Sequence, residues 1–185
     1  MEIVRIFDKK DTFWCPCYPE DKGDDIFTVL LTQWTDTQYL MNFFKDNQKD
    51  LQNKYWHGIN IDTAVELVMA EAYYLQEKLI CIEYAEPGCI NVKISDIFKP
   101  YKKHQYVINQ IDEDYFVKGK LDSLPQMLRL YGVELSDGTI IISGGAIKIT
   151  GGGLIRTHLK VEKERLYKLF DYLSVNNITN IEALK

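Results

Sequence analysis

Several things are scarce in this chain, and each scarcity closes off a class of answer. Nothing among the 185 residues approaches the roughly 20 consecutive apolar residues that span a bilayer. Met1-Glu2-Ile3-Val4-Arg5 leads into a strand-like segment and lacks the cationic and apolar regions of a signal peptide. A soluble, cytoplasmic protein with no membrane partner is the expectation. The four cysteines are too few and too scattered for a disulfide framework: Cys15 and Cys17 flank Pro16, and Cys81 and Cys89 lie far along the chain. Reduced thiols are therefore expected, as is usual in the cytosol. A zinc site would need four soft ligands in tetrahedral reach, and Cys-Pro-Cys followed by two distant cysteines without a nearby His does not supply them. No metal is expected. Gly151-Gly152-Gly153 is not followed by Lys-Ser/Thr, and no GxGxxG spacing occurs, so the glycines read as a connector and no nucleotide cofactor is expected.

What is present is enough apolar material, 46% hydrophobic and 12% aromatic, to bury a substantial core. No repeat or low-complexity linker divides the chain. Residues 1–185 read as a single domain in three parts: strands and a helix pair over 1–80, an insertion of unclear structure over 81–125, and a hairpin, third strand and closing helix over 126–175. Charge is unevenly spread. Residues 1–126 carry 14 Lys and Arg against 21 Asp and Glu, whereas residues 127–170 carry seven against four and hold three of the four arginines. An acidic body with one cationic segment brings phosphate to a single place, the electrostatic footprint of nucleic-acid binding. A helix bearing Lys160, Lys163 and Lys168 beside Glu162 and Glu164 is equally readable as a solvated face.

Residues 2–7 and 26–31 are rich in β-branched and aromatic side chains and predict strands, separated by a loop with Pro16, Pro19 and Gly23. Thr35 and Gln38 have capping-box spacing, and Leu40, Phe43 and Phe44 recur at helical intervals behind them. Trp34 and Trp56 bracket that helix as core residues. A second helix starts near Asp62, with Val65, Val68, Met69, Ala72, Leu75 and Leu79 on one stripe. His57 belongs to the turn between the two helices, facing solvent. Pro87-Gly88 breaks the second helix, and Pro100 ends a short apolar segment. Lys99, Lys102, Lys103 and His104 then stand close to acidic Asp112-Glu113-Asp114.

Residues 127–150 are the most informative stretch. Asp137-Gly138 between alternating apolar residues is a strong hairpin signal, because glycine accepts the positive φ of a tight turn. Strands over 128–135 and 139–143 are expected, with Leu128, Leu130 and Val133 on the sheet face. Gly144-Gly145 would permit a bend or bulge before a third strand over 146–150. A closing helix runs from about 155 to 173, with Leu159, Leu166, Leu169, Phe170 and Leu173 inward.

The resulting fold class is α+β: a small antiparallel or mixed sheet with an N-terminal helix hairpin and a C-terminal helix. Leu128-Arg129-Leu130-Tyr131, followed by Ile140-Ile141-Ile142-Ser143-Gly144-Gly145-Ala146-Ile147-Lys148-Ile149-Thr150, resembles the strand pattern of the RelE/HigB-like toxin superfamily. The resemblance covers roughly the last 60 residues well and the first 80 as topology, and this chain would be an extended, divergent member. It implies a ribosome-dependent, metal-independent mRNA endoribonuclease of a toxin–antitoxin module, with an antitoxin protein and mRNA on the ribosome as partners. It implies Arg129 and Lys148 as phosphate-directed catalytic residues, Tyr131 orienting or stacking on a base, and His158 as a proton donor. Arg156, Lys160 and Lys163 would bind RNA. Arg, Lys, Tyr and His suit that chemistry, since RNA cleavage needs an activated 2′-hydroxyl, a neutralised phosphate and a protonated leaving oxygen. The alternative is a non-catalytic protein-interaction module on the same scaffold. The nuclease reading requires Arg129 and Lys148 to be exposed on one groove with their side chains converging, whereas the interaction reading has one of them buried in a salt bridge or covered by the middle insertion.

Overall fold

The computed structural model describes residues 1–53, 55–56, 58–85, 89, 92–102, 105–108, 126–149 and 156–185. His57, Lys103, His104, the acidic run at 112–114 and the Gly151-Gly152-Gly153 connector lie outside them. The described elements are β1 (Glu2–Arg5), β2 (Phe13–Cys17), α1 (Ile26–Thr35), α2 (Thr37–Asp46), α3 (Gln48–Leu51), α4 (Ile61–Tyr84) and α5 (Ile94–Ile97). They continue with β3 (Phe98–Lys102), β4 (Gln105–Ile108), β5 (Leu128–Glu134), β6 (Ile140–Ile147) and α6 (Thr157–Val175). The protein is thus α+β, with a mixed sheet ordered β1-β2-β6-β5-β4-β3.

Every neighbouring pair is antiparallel except β2 and β6, which run parallel and pair only at Phe13 with Ile140 and Trp14 with Ile141. Strand alternation sends successive side chains to opposite faces. On one face Phe13, Cys15, Leu128, Leu130, Ile140 and Ile142 join the core built by α1, α2 and α4. On the other, Trp14, Tyr131, Val133 and Ile141 pack beneath Leu159, Leu166, Leu169 and Leu173 of α6. Helices therefore cover both faces, and Val133 belongs to the α6 side, opposite Leu128 and Leu130.

Several expectations hold. Gly138 turns the hairpin at φ +87°, and the Asp137 side chain accepts from the Thr139 amide. The α4 stripe is buried at Val65, Val68, Ala72, Leu75 and Leu79, and Trp34 and Trp56 are core residues. Trp56 donates its indole N–H to the Ile149 carbonyl at 2.6 Å, anchoring the chain just beyond β6.

Others are corrected. Residues 26–31 are helical, because Asp25 caps α1 by accepting from both the amide and the hydroxyl of Thr28, and Ile26, Phe27, Leu30 and Trp34 form a helical stripe. The cap of α2 is Asp36, not Thr35; the Thr35 hydroxyl instead donates back to the Leu31 carbonyl. The proline-containing loop includes β2, and Pro100 lies within the edge strand β3, where a missing N–H costs least. Among the described residues there is no separate third strand: β6 runs through Gly144-Gly145 with Ser143 as an extra, bulged residue between the Tyr131–Gly144 and Gly132–Ile142 pairs. Cys81 and Cys89 are joined as a disulfide at the end of α4, not reduced, whereas Cys15 and Cys17 are free.

Candidate functional site

Two centres meet where β6 ends and α6 begins. The first is cationic. Arg129 stands on β5 opposite Ala146, and Lys148 follows two residues after Ala146, so alternation puts both on the α6 side of the sheet. Arg129 Nη1 donates to the carbonyls of Gln126 and Leu128, which fixes the guanidinium at the strand entrance. Glu71, buried on α4, holds the same entrance by accepting from the amides of Met127 and Leu128 at 2.8 and 2.7 Å. Lys148 is half-buried, and burial, followed by the Arg129 charge, pushes its pKa down. Among the described residues neither cation has a carboxylate in salt-bridge contact.

The remaining sequence candidates divide. Arg156, Lys160 and Lys163 are exposed on α6 or its cap at helical spacing, and Arg156 pairs with Asp50 at the end of α3. Tyr131 is 3% exposed beneath α6, so it does not face a groove and stacking on a base is closed to it. His158 places Nε2 3.1 Å from the Ile147 carbonyl and its ring edge-on to Phe43. A carbonyl only accepts, so Nε2 carries the proton. Burial lowers the His158 pKa. A proton-donor role for His158 is not supported, because the ring is held neutral with its one N–H already engaged.

The second centre has no counterpart in the sequence reading. After Trp14 and Ile141, β2 and β6 part, and the edge of β6 is left without a strand partner. Side chains take over: the Tyr18 hydroxyl donates to the Ser143 carbonyl at 2.9 Å, the Glu162 carboxyl lies beside the Gly145 amide, and His158 donates to the Ile147 carbonyl. Unpaired backbone groups in a dry interior are costly, so residues bonding this edge are under strong constraint. A Cβ at Gly144 would lie 1.9 Å from Glu162 Oε2 and force that carboxyl to move, and one at Gly145 would lie 2.7 Å from the Trp34 ring and 2.8 Å from the Arg129 carbonyl oxygen.

Between α1, α2, α6 and this edge lies a cavity of about 110 Å3, against the roughly 10–15 Å3 that one water needs in the same measure. Trp34, Tyr39, Phe43, His158, Glu162 and Arg165 are among its walls. Arg165 bonds Glu162 Oε1 at 3.3 Å and Asp21 at 3.2 Å, approaches Glu20 at 3.6 Å, and lies 4.8 Å over the Tyr18 ring. Burial pushes the Glu162 carboxyl up to about 7 against the opposing pull of Arg165, and burial likewise raises Asp21. Three buried polar atoms here have no partner: Ser143 Oγ, Glu162 Oε2 and Arg165 Nε. Such atoms are few in native proteins and call for a reason. The sequence does carry a signal for Glu162, a charged residue on the inward stripe between Leu159 and Leu166.

No family model, curated protein or solved structure matches this chain.

Proposed function

We propose that this chain is an RNA-directed protein of the toxin type, a metal-independent mRNA endoribonuclease working at the ribosome and neutralised by an antitoxin protein. The observation that carries the reading is the convergence of Arg129 and Lys148 at one end of the sheet, without a carboxylate in contact among the described residues. Two cations held side by side repel each other, and a bridging phosphate relieves both. Exposed Arg156, Lys160 and Lys163 extend positive charge along α6 from the same corner, giving a backbone track. In the reaction, the 2′-hydroxyl passes its proton to a solvent water as its oxygen attacks phosphorus, the bond to the 5′-oxygen breaks, and that oxygen takes up a proton. A 2′,3′-cyclic phosphate and a 5′-hydroxyl result. Arg129 stabilises the charge on the phosphoryl oxygens, and Lys148, its pKa lowered, is suited to give the leaving oxygen its proton. This role replaces that of His158. The cytoplasm is the proposed location, where the thiol pool would tend to open the Cys81–Cys89 bridge.

The test is fluorescence anisotropy with a labelled single-stranded RNA across a salt series. Removing one cation that pairs with a phosphate should reduce the slope of log K against log salt by roughly 0.7. Arg129→Ala and Lys148→Ala are each expected to do so, and unchanged slopes would remove the reading. A second reading, a protein-interaction module, is favoured by an apolar groove of about 280 Å3 at the far end of α6, lined by Val133, Leu135, Phe170, Leu173 and Ile178.

A further inference from the structure

We infer that Glu71 is the positioning residue of the Arg129–Lys148 corner: from inside the core it sets the place of both cations through two consecutive peptide groups. Its use in catalysis rests on the nuclease reading, whereas the contacts that carry the inference do not. None of these three residues lines the cleft bounded by α1, α2, α6 and the edge of β6.

Glu71 is 2% exposed on α4 and accepts the Met127 amide at 2.8 Å through Oε1 and the Leu128 amide at 2.7 Å through Oε2. Each amide belongs to a peptide group whose other end reaches one of the two cationic residues. The Met127 N–H shares its group with the Gln126 carbonyl, which accepts from Arg129 Nη1 at 3.1 Å. The Leu128 N–H shares its group with the Met127 carbonyl, which accepts the Lys148 amide at 2.7 Å. Two chains of hydrogen bonds thus leave one buried carboxyl, one ending on the Arg129 guanidinium and the other on the Lys148 backbone. In both, the N–H end of the peptide dipole faces the acid and the C=O end faces a donor, so each bond polarises and strengthens the next.

The chemistry of the carboxyl matters as well as its shape. A carboxylate offers acceptors only, so both oxygens can face N–H groups, whereas an amide of the same size would turn an N–H of its own toward one of them. The Gln126–Met127 peptide group lies ahead of β5, which begins at Leu128, and among the described residues Glu71 is what holds its N–H. Losing that hold frees the carbonyl that orients Arg129. Lys148 is held a second time, because the Trp56 indole fixes the next carbonyl, that of Ile149, at 2.6 Å. Arg129 is therefore the more sensitive of the two to a change at Glu71. The Arg129 charge acts back on Glu71, pulling down a carboxyl that burial pushes up to about 7. A balancing charge one peptide group behind the guanidinium also lets two cations share a corner without a carboxylate in contact.

Heteronuclear NMR of the full chain at pH 8, where this carboxyl is ionised, reads the corner without any ligand. Four arginines give four sets of side-chain signals, and Arg129→Lys identifies the set that matters. In the wild type, the Arg129 Nη protons are expected to be resolved and slow to exchange. The Met127 and Leu128 amides should show scalar coupling through their hydrogen bonds to the Glu71 carboxyl carbon. In Glu71→Gln, the Arg129 signals should collapse to the average of a freely rotating guanidinium, while Arg165, held by Asp21 and Glu162, keeps its own. Unchanged Arg129 signals in folded Glu71→Gln would overturn the inference. So would wild-type amides without coupling to Glu71, a result that depends on no variant folding. In the RNA salt series, Glu71→Gln should flatten the slope by roughly 0.7, as Arg129→Ala does, and the double variant should flatten it no further. A slope left unchanged, with binding tightened by the lost negative charge, would contradict positioning. Equal slopes for wild type and Arg129→Ala would remove the nuclease reading, and the NMR result would still decide the role of Glu71.

Discussion

Glu162→Gln should make the protein less sensitive to alkaline pH. A carboxyl whose pKa is raised in the folded state keeps its proton where the unfolded chain has lost it, so folding stability falls as pH rises from the unfolded value toward the folded one. For Glu162 the window runs from 4.5 to about 7. At about 1.4 kcal/mol per pH unit, the loss across it is roughly 3 kcal/mol, complete above pH 7 and absent below 4.5. Glu71, also pushed up to about 7 by burial, adds a loss of the same sign. Its source is separate, at the start of β5. Carboxyls with lowered values, such as Asp25 and Asp137, act only at more acid pH and leave this window alone. Urea unfolding at pH 5, 6, 7 and 8 reads the slope directly. His158, its pKa lowered by burial, acts in the same window with the opposite sign in both proteins, and the variant is expected to lose a large part of the wild-type decline between pH 5 and 8, whatever its absolute stability. A decline as steep in Glu162→Gln as in the wild type would refute the assignment of that proton to the cleft.

Three more outcomes are expected. Gly144→Ala should destabilise by about 1–3 kcal/mol in thermal or urea unfolding, since its methyl group would displace the Glu162 carboxyl from Gly145 and Arg165. Trp56→Phe should cost about 1–3 kcal/mol in the same assay by removing the indole donor from the buried Ile149 carbonyl, although the Asn53 amide at 3.3 Å remains. Peptide mapping of protein purified without reductant should recover Cys81 linked to Cys89, with Cys15 and Cys17 as free thiols.

Local patterns in the sequence locate much of the fold, and long-range ones do not. Asp137-Gly138 specifies its turn through glycine's tolerance of positive φ, and the α4 stripe reports a buried helix face because its period is intrinsic to the backbone. Residues 26–31 mislead because β-branched content is a weak preference, which the Asp25 cap and burial against β6 override. Leu128 and Val133 do not share the face that the sequence pattern suggests, because an odd spacing in an unbulged strand separates them. The cation pair is legible, since Arg129 and Lys148 flank neighbouring strands of one hairpin. The cleft is not, because it exists only where β2 and β6 part, and that parting joins residues more than a hundred apart in sequence. Glu162 and Glu71 are nevertheless visible in outline as charges on apolar helix stripes, the pattern that marks a buried acid.

The central claim is that Arg129 and Lys148 serve phosphate chemistry on RNA. Induced expression in a bacterial host of the wild-type chain, Arg129→Ala and Lys148→Ala, with growth followed and mRNA 5′ ends mapped, tests it most directly. Growth arrest with new 5′-hydroxyl ends that disappear in both variants is the expected result. Normal growth and unchanged transcripts from folded wild-type protein would contradict the claim.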